Sequence, residues 1–319
     1  MKILIAPLNW GLGHASRCIP LIQKYVARGN EVIVAGNGIS LQLLQQRFPE
    51  LRRIELPKFE LRYSNKKQQI GAMVRALPAL IKSCMNDHSA LKRILCNEHF
   101  DLVISDNRFG FFSKKTKCIF ITHQLMVKMP KLLTWFEPIY WKLQNSIINK
   151  YDACWIPDVE GKENLSGDLS HKYPLPTNAK FIGHLSRFEL FENITPNETY
   201  NIVAVVSGVE PTRSHFESAI IKRYASTKDR VLIVQGKPSE GEHATSQGSI
   251  TRIPHLPDKE LASYLLGAKK IISRSGYSSI MDYKILGVLH KVTLHATPGQ
   301  TEQEYLADRM SSDQSEKME

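Results

Sequence analysis

Residues 271–307 read IISRSGYSSIMDYKILGVLHKVTLHATPGQTEQEYLA. A short apolar run ends at Arg274-Ser275-Gly276, a helical stretch follows over 277–286, and Gly287 stops it before a second β-like run over 288–294. That run ends in the loop Ala296-Thr297-Pro298-Gly299-Gln300, and another helix is expected from about Thr301. A β-turn-α-β-loop-α unit predicts a parallel sheet with ligands at the carboxyl ends of its strands.

The polar residues of this unit fall at those ends. Small residues at Ser275, Gly276, Ser278 and Ser279 let a diphosphate approach backbone N–H groups at a helix N-terminus, where the macrodipole favours negative charge. Asp282, two turns along, is a carboxylate with acceptors enough for both hydroxyls of a ribose. Glu302-Gln303 sets an acceptor beside an amide, a pair suited to neighbouring sugar hydroxyls.

In this order and spacing the stretch resembles the carboxyl-terminal half of GT-B glycosyltransferases. The similarity is to glycosyltransferase family 28, the MurG-like enzymes, and more distantly to the UDP-glucuronosyltransferases. The resemblance implies that Arg274, Ser275, Gly276 and Ser279 contact the donor diphosphate. It also implies that Asp282 stands where the family has a ribose-binding acid, usually Glu, and that Glu302 and Gln303 hold the donor hexose. The fold so implied is α/β, with two Rossmann-like domains whose parallel sheets face each other across a cleft.

The composition fits that outline. A chain of 319 residues is long enough for two cores, and 42% hydrophobic with 23% charged residues is ordinary for a soluble globular protein. The net charge of +11 draws the chain to phosphates. The partners expected are a nucleotide sugar, an anionic membrane surface and a lipid-linked acceptor, with no nucleic acid. Five scattered cysteines without a C-x-x-C pattern predict reduced thiols and a cytoplasmic site, not a disulfide framework or zinc. No run reaches the length of a membrane-spanning helix, and Met1-Lys2 leads straight into a strand with no signal peptide.

The chain opens with a buried-strand pattern, Lys2-Ile3-Leu4-Ile5-Ala6-Pro7, a glycine-rich turn Gly11-Leu12-Gly13-His14, and a helix. The turn invites a dinucleotide reading, but the second strand ends Val34-Ala35-Gly36-Asn37 and lacks the acid that would hold an adenosine ribose. The turn carries an imidazole instead, and His has the pKa best suited to a general base near neutral pH. In the resembled family the Gly-His of this loop faces the acceptor, which implies Gly13 at the acceptor and His14 as base. Arg17 either faces the same cleft or is a solvated first-turn residue.

A strand over 100–105 presents Asp106, Asn107 and Arg108 at its end, and the next strand ends in His123-Gln124. Strand ends are where α/β sheets place binding residues, so Asp106 is expected either to polarise His14 or to hold the acceptor. Asn107, Arg108, His123 and Gln124 are expected to line the acceptor side. The apolar stretch 70–82, with basic edges, reads as an amphipathic helix lying over a sheet in preference to a segment at a lipid–water interface. The aromatic 129–150, flanked by lysines, suits such an interface and core packing equally well. The first domain is expected over 1–184, a linker over 185–200, a second domain over 201–310, and a disordered polar tail over 311–319.

The second half restarts at Asn201 and turns at Ser207-Gly208-Val209-Glu210-Pro211-Thr212-Arg213, a second small-residue loop at a helix N-terminus. The resemblance puts Ser207 and Gly208 on the donor diphosphate, with Arg213 compensating for the missing glycines, and sets Leu256 at the edge of the uracil. Members of the family also finish with a longer helix that crosses back to the first domain, which this chain is expected to lack. The sequence carries no D-x-D pattern. The expected activity is therefore an inverting, metal-independent transfer of a hexose or N-acetylhexosamine from a UDP-sugar, with no cofactor. The alternatives are a UDP-sugar epimerase of the same fold, or an inactive protein that binds nucleotide sugars or membrane surfaces.

Overall fold

The structure is a computed structural model that describes residues 1–57, 69–129, 131–238 and 243–316. Lys66 and Lys67 lie outside them, as do the side chains of 69–77, 131–132 and 313–316. The chain folds as β1 (Lys2–Pro7), α1 (Gly13–Ala27), β2 (Glu31–Gly36), α2 (Gly38–Arg47), β3 (Arg53–Glu55), α3 (Gln69–Asn97), β4 (Leu102–Asp106) and β5 (Lys117–Ile121). The first lobe continues with α4 (Glu137–Ile148), β6 (Ala153–Ile156), the short α5 (Asp168–His171) and β7 (Ala179–Phe181). The second lobe holds β8 (Ile202–Val205), α6 (Thr212–Tyr224), β9 (Val231–Val234), β10 (Thr245–Gln247), β11 (Ile250–Ile253), α7 (Asp258–Gly267) and β12 (Lys270–Arg274). It ends with α8 (Tyr277–Ile285), β13 (Val292–His295) and α9 (Thr301–Glu316).

The first sheet is parallel, in the order β3-β2-β1-β4-β5-β6-β7. Its central strands are buried on both faces, which is why ILIA in β1 and LVIS in β4 are unbroken apolar runs and not alternating ones. Helices α1 and α2 cover one face, α3 and α4 the other. The order reverses beside β1, and the register pairs Pro7 with Asp106 and Asp106 with Ile121. The loops after β1, β4 and β5 therefore leave the sheet at one level, at the crevice where such folds bind ligands.

The second sheet runs β10-β11-β9-β8-β12-β13, parallel except for the edge strand β10. The two lobes share apolar surface. Tyr277, Ile280 and Met281 of α8 and Leu306 and Met310 of α9 are buried in one cluster with Ile19, Ile22, Leu169 and Leu185. The expected polar tail is thus corrected over 311–316, where α9 continues. Its Leu306 and Met310 make α9 itself the element that reaches back to the first lobe.

Other boundaries also shift. The expected strand over 288–294 is a 3₁₀ turn followed by β13, and part of the small-polar loop before Gly248 pairs as β10. The apolar segment 70–82 belongs to the single long helix α3. All five cysteines are free. No helix among the described residues is long and apolar enough to cross a membrane.

Candidate active site

The level strand ends of the first lobe bring together residues far apart in sequence. His14, in the first turn of α1, lies 2.7 Å from the Asp106 carboxylate at the end of β4. Its Nδ1 lies 2.7 Å from Asp106, which only accepts, and 3.0 Å from Arg17 Nη2, which only donates and already bonds Asp106. We assign the proton to Nδ1 on the shorter contact, directed at Asp106, and the lone pair to Nε2. Nε2 has no hydrogen-bond partner among the described residues. Burial pushes His14 below the usual imidazole pKa, and the nearby Asp106 carboxylate offsets only part of that.

Asp106 is completely buried and held from a second side. Arg17 donates to it through Nε and Nη2, both at 2.5 Å, in a two-pronged clamp. Burial pushes the Asp106 carboxyl up, but Arg17 and His14 outweigh it and bring the carboxyl to about 2. Arg17 therefore faces inward, not into solvent. Its remaining arm, Nη1, donates to Nδ1 of His123 at 3.0 Å, and Nε2 of His123 donates to Glu302 of the second lobe at 2.8 Å. The ring of His123 lies flat on that of Tyr277, centroids 4.1 Å apart, and the Tyr277 hydroxyl donates to the Pro157 carbonyl. Tyr277 was not legible as a site residue, because its partner is on the other lobe.

Across the gap, α8 begins at a step with room beside it. The first amides to find partners are those of Ser279 and Ile280, both on the Gly276 carbonyl, so those of Gly276, Tyr277 and Ser278 are left over at the helix start. A side chain built on Gly276 would meet nothing within 4 Å, whereas one at Gly13 would come within 3.1 Å of the Ser278 hydroxyl. Gly13 lets α1 and α8 approach, and the space beside Gly276 remains. The two glycine loops also meet: a side chain on Gly11, at φ +74°, would lie 3.7 Å from the Gly208 Cα. Ser207, Gly208 and Ser279 are partly exposed there.

Arg274, at the end of β12, is the cation of this crevice. It donates to the carbonyls of Ala296 and Thr212, lies 4.0 Å over the Phe216 ring, and leaves its Nε buried without a partner. No carboxylate among the described residues accompanies it, and burial alone lowers it to about 10. Buried charges are ordinarily paired.

Several expected contacts are corrected. Arg108 is buried and donates to Asp87 of α3 and to the Pro7 carbonyl, so it anchors a helix and does not face an acceptor. Arg213 is consumed by Glu210 and Glu217 and cannot supply phosphate charge. Asp282 accepts from Ser186 and Arg187 and fastens the segment between the lobes to α8, which occupies both oxygens intended for a ribose. The Ser275 hydroxyl donates to the Gln303 carbonyl, and the Gln303 amide holds Thr297 and Gln300, so both side chains fix the loop before α9. Leu256 buries its side chain in the core of the second lobe, which leaves its backbone as the part that could edge a base. Asn107 adopts a left-handed φ of 57° with its side chain on Thr122, and Gln124 is half-buried with its backbone on Thr122 and Gln144.

No protein-family model matches the chain. An uncharacterized glycosyltransferase of Methanosarcina acetivorans is 28% identical over 167 residues, 50% of this chain and 42% of that one, so the match spans less than half of the relative. Solved structures resemble nearly the whole chain. The glycotransferase of kitacinnamycin gives a TM-score of 0.58 at 12% identity, covering 98% of this chain and 84% of that one. The calicheamicin glycosyltransferase CalG4 gives 0.56 at 14%, covering 98% and 83%. A Listeria monocytogenes protein assigned as a UDP-N-acetylglucosamine 2-epimerase gives 0.55 at 12%, covering 99% and 89%. The architecture is the GT-B fold, an α/β arrangement of two parallel-dominated sheets.

Proposed function

We propose that the chain is an inverting, metal-independent glycosyltransferase that moves a hexose or N-acetylhexosamine from a UDP-sugar to an acceptor hydroxyl. The observation that carries the reading is the pairing of a free imidazole nitrogen, oriented by Asp106, with an open helix start and an unpaired buried arginine in the facing lobe. His14 Nε2 takes the proton of the acceptor hydroxyl. The acceptor oxygen bonds to the anomeric carbon as the bond from that carbon to the diphosphate oxygen breaks, and UDP leaves with the electron pair. The amides of Gly276, Tyr277 and Ser278, with Arg274, stabilise the charge that builds on the diphosphate.

Arg274→Met tests the donor half. A buried hydrogen-bonding cation contributes about 1.5–3 kcal/mol, so UDP affinity should fall roughly 10–100-fold. The melting temperature should fall by only a few degrees, since no carboxylate is left unpaired and the loss is confined to the bonds to the Ala296 and Thr212 carbonyls and the contact with Phe216. Unchanged UDP affinity would remove Arg274 from the donor site.

A panel of nucleotide sugars tests the whole reading. Expected are a thermal shift with UDP-sugars and UDP release that depends on acceptor. The Listeria likeness favours a second reading, an epimerase. Acceptor-independent conversion of the sugar would establish it, and binding without any turnover would make the protein a binder only.

The reading extends to a lipid-linked acceptor at the inner face of the cell membrane. Trp135, Ile139 and Leu143 form one exposed stripe leading along α4, with Trp135 67% exposed, and Ile81 and Met85 are exposed on α3 over the same sheet face. Lys82 and Lys142 are exposed beside them, while the acids of these helices, Asp87 and Glu137, are buried against Arg108 and Lys172. Apolar groups with a free cationic rim suit an anionic interface. Replacing both Trp135 and Ile139 by Glu should weaken co-sedimentation with phosphatidylglycerol vesicles by at least about tenfold. Equal binding of variant and native chain would remove this face from the reading.

A further inference from the structure

His123 has no nitrogen left for an acceptor. Nδ1 accepts from Arg17, Nε2 donates to Glu302, and the ring is stacked on Tyr277 with an interplanar angle of 9°. The two hydrogen bonds fix each other. Nδ1 faces a guanidinium and must present a lone pair, so the single proton of the neutral ring is on Nε2, directed at a carboxylate. Glu302 is 30% exposed, and its second oxygen has no donor among the described residues. That oxygen remains for a ligand hydroxyl, the contact expected of Glu302 from the sequence.

A continuous chain of hydrogen bonds thus runs from the second lobe to the base: Glu302, His123, Arg17, Asp106, His14. We propose that His123 is a positioning residue for both halves of the reaction, holding Glu302 to the donor sugar and Arg17 to Asp106 through its two ring nitrogens. The proposal rests on the transferase reading above. Without the ring, Glu302 loses the donor that fixes its rotamer, and Arg17 Nη1 is left unsatisfied in a buried place, which loosens its two bonds to Asp106. Less Arg17 charge on Asp106 leaves more of the carboxylate field for His14. The groups acting on His14 are Asp106 from β4, Arg17 from α1, His123 after β5 and Glu302 of α9, with Cys18 against Asp106 and Tyr277 against His123 behind them. Among these, removing His123 releases two charged neighbours at once.

The experiment compares His123→Ala with His123→Gln in the full chain. Gln can accept from Arg17 through Oε1 and donate to Glu302 through Nε2, but it cannot stack on Tyr277 as the ring does. Donor affinity is read by calorimetry with the UDP-sugar that the native chain turns over, and turnover is read against pH. Expected for the alanine variant are roughly tenfold weaker donor binding, at least about tenfold lower kcat, and an acid limb moved upward, with the acceptor KM unchanged. The glutamine variant should recover most of the donor affinity and the native limb. A rise in acceptor KM alone would overturn the proposal in favour of a direct acceptor contact. Glutamine as poor as alanine in both readouts would also overturn it, leaving His123 as packing for Tyr277. Should the alanine variant not fold, native-like glutamine against a shifted His123→Asn, whose amide is too short to span both partners, decides the matter. Failure of the native chain to bind or turn over any UDP-sugar counts against the transferase reading itself, whereas these outcomes in an active enzyme count against His123 alone.

Discussion

His14→Ala should lower turnover by about 10²–10⁴-fold, the range for removal of a general base, while UDP-sugar affinity stays native. The expectation follows from three features of one side chain. Its Nδ1–H is committed to Asp106, so the ring cannot rotate away without breaking a bond to a buried carboxylate. Its Nε2 is unpaired and so can take a proton. Burial holds its pKa below the usual imidazole value, so the ring is neutral at pH 7 and available as a base.

The same shift sets the direction of the pH profile. Activity should fall only as pH drops below the ordinary histidine value of about 6.5, because a lowered pKa means that protonation occurs at lower pH. In the alanine variant the residual rate should lack that acid limb. Donor affinity is read separately from kcat, since the donor binds through the other lobe. A variant that keeps its turnover, or keeps the limb, would put the base elsewhere.

Local grammar made half of this site legible. The Gly13-His14 turn and the Gly276 step announce themselves because a strand, a small residue and a helix start must follow one another in the chain. Asp106 was readable as a strand-end acid, since LVIS before it can only be a buried strand. Its pairing with His14, 92 positions earlier, was one of two expected roles, and only the register between β1 and β4, which the sheet sets, chooses it over a contact to the acceptor.

The misread residues share one cause. Arg108, Arg213 and Asp282 are charged groups at positions where binding was expected, and each is neutralised by a partner: Arg108 and Asp282 by residues far along the chain, Arg213 by Glu210 and Glu217 at a local helical spacing that could have been read. A charge at a strand end can serve a ligand or hold two elements together, and its burial partner decides which. Arg274 differs from them in lacking a carboxylate among the described residues, which is a property of three-dimensional surroundings. The end of the chain was misread for a related reason. Its polar sequence has little hydrophobic patterning, but Leu306 and Met310, one helical turn apart, are enough to seat α9 on the first lobe.

Asp106→Asn separates the structural from the chemical duty of the carboxylate. Arg17 is buried with 1% of its surface exposed, and Asp106 is the only carboxylate among the described residues that touches it. Leaving a buried cation without its counter-ion costs about 3–5 kcal/mol, so the variant should melt on the order of 10 °C lower than the native chain. The loss should depend on pH in a definite direction. Asp106 titrates at about 2 when folded, below an unfolded aspartate near 3.9, so the stability it contributes is present above about pH 4 and fades as pH falls toward 2. Native chain and variant should therefore converge in stability at low pH. Activity should fall as well, because an amide can offer its NH₂ to Nδ1 and stabilise the wrong tautomer of His14, a change of the kind that cost about 10⁴-fold in a serine-protease triad. The double variant Arg17→Met, Asp106→Asn decides between the two duties. With the buried cation gone, most of the melting temperature should return, since an ion pair replaced by apolar groups of similar volume is often neutral. Turnover should remain at the level of the single variant. Recovery of turnover together with stability would mean that Asp106 only holds Arg17, and that His14 needs no carboxylate to act.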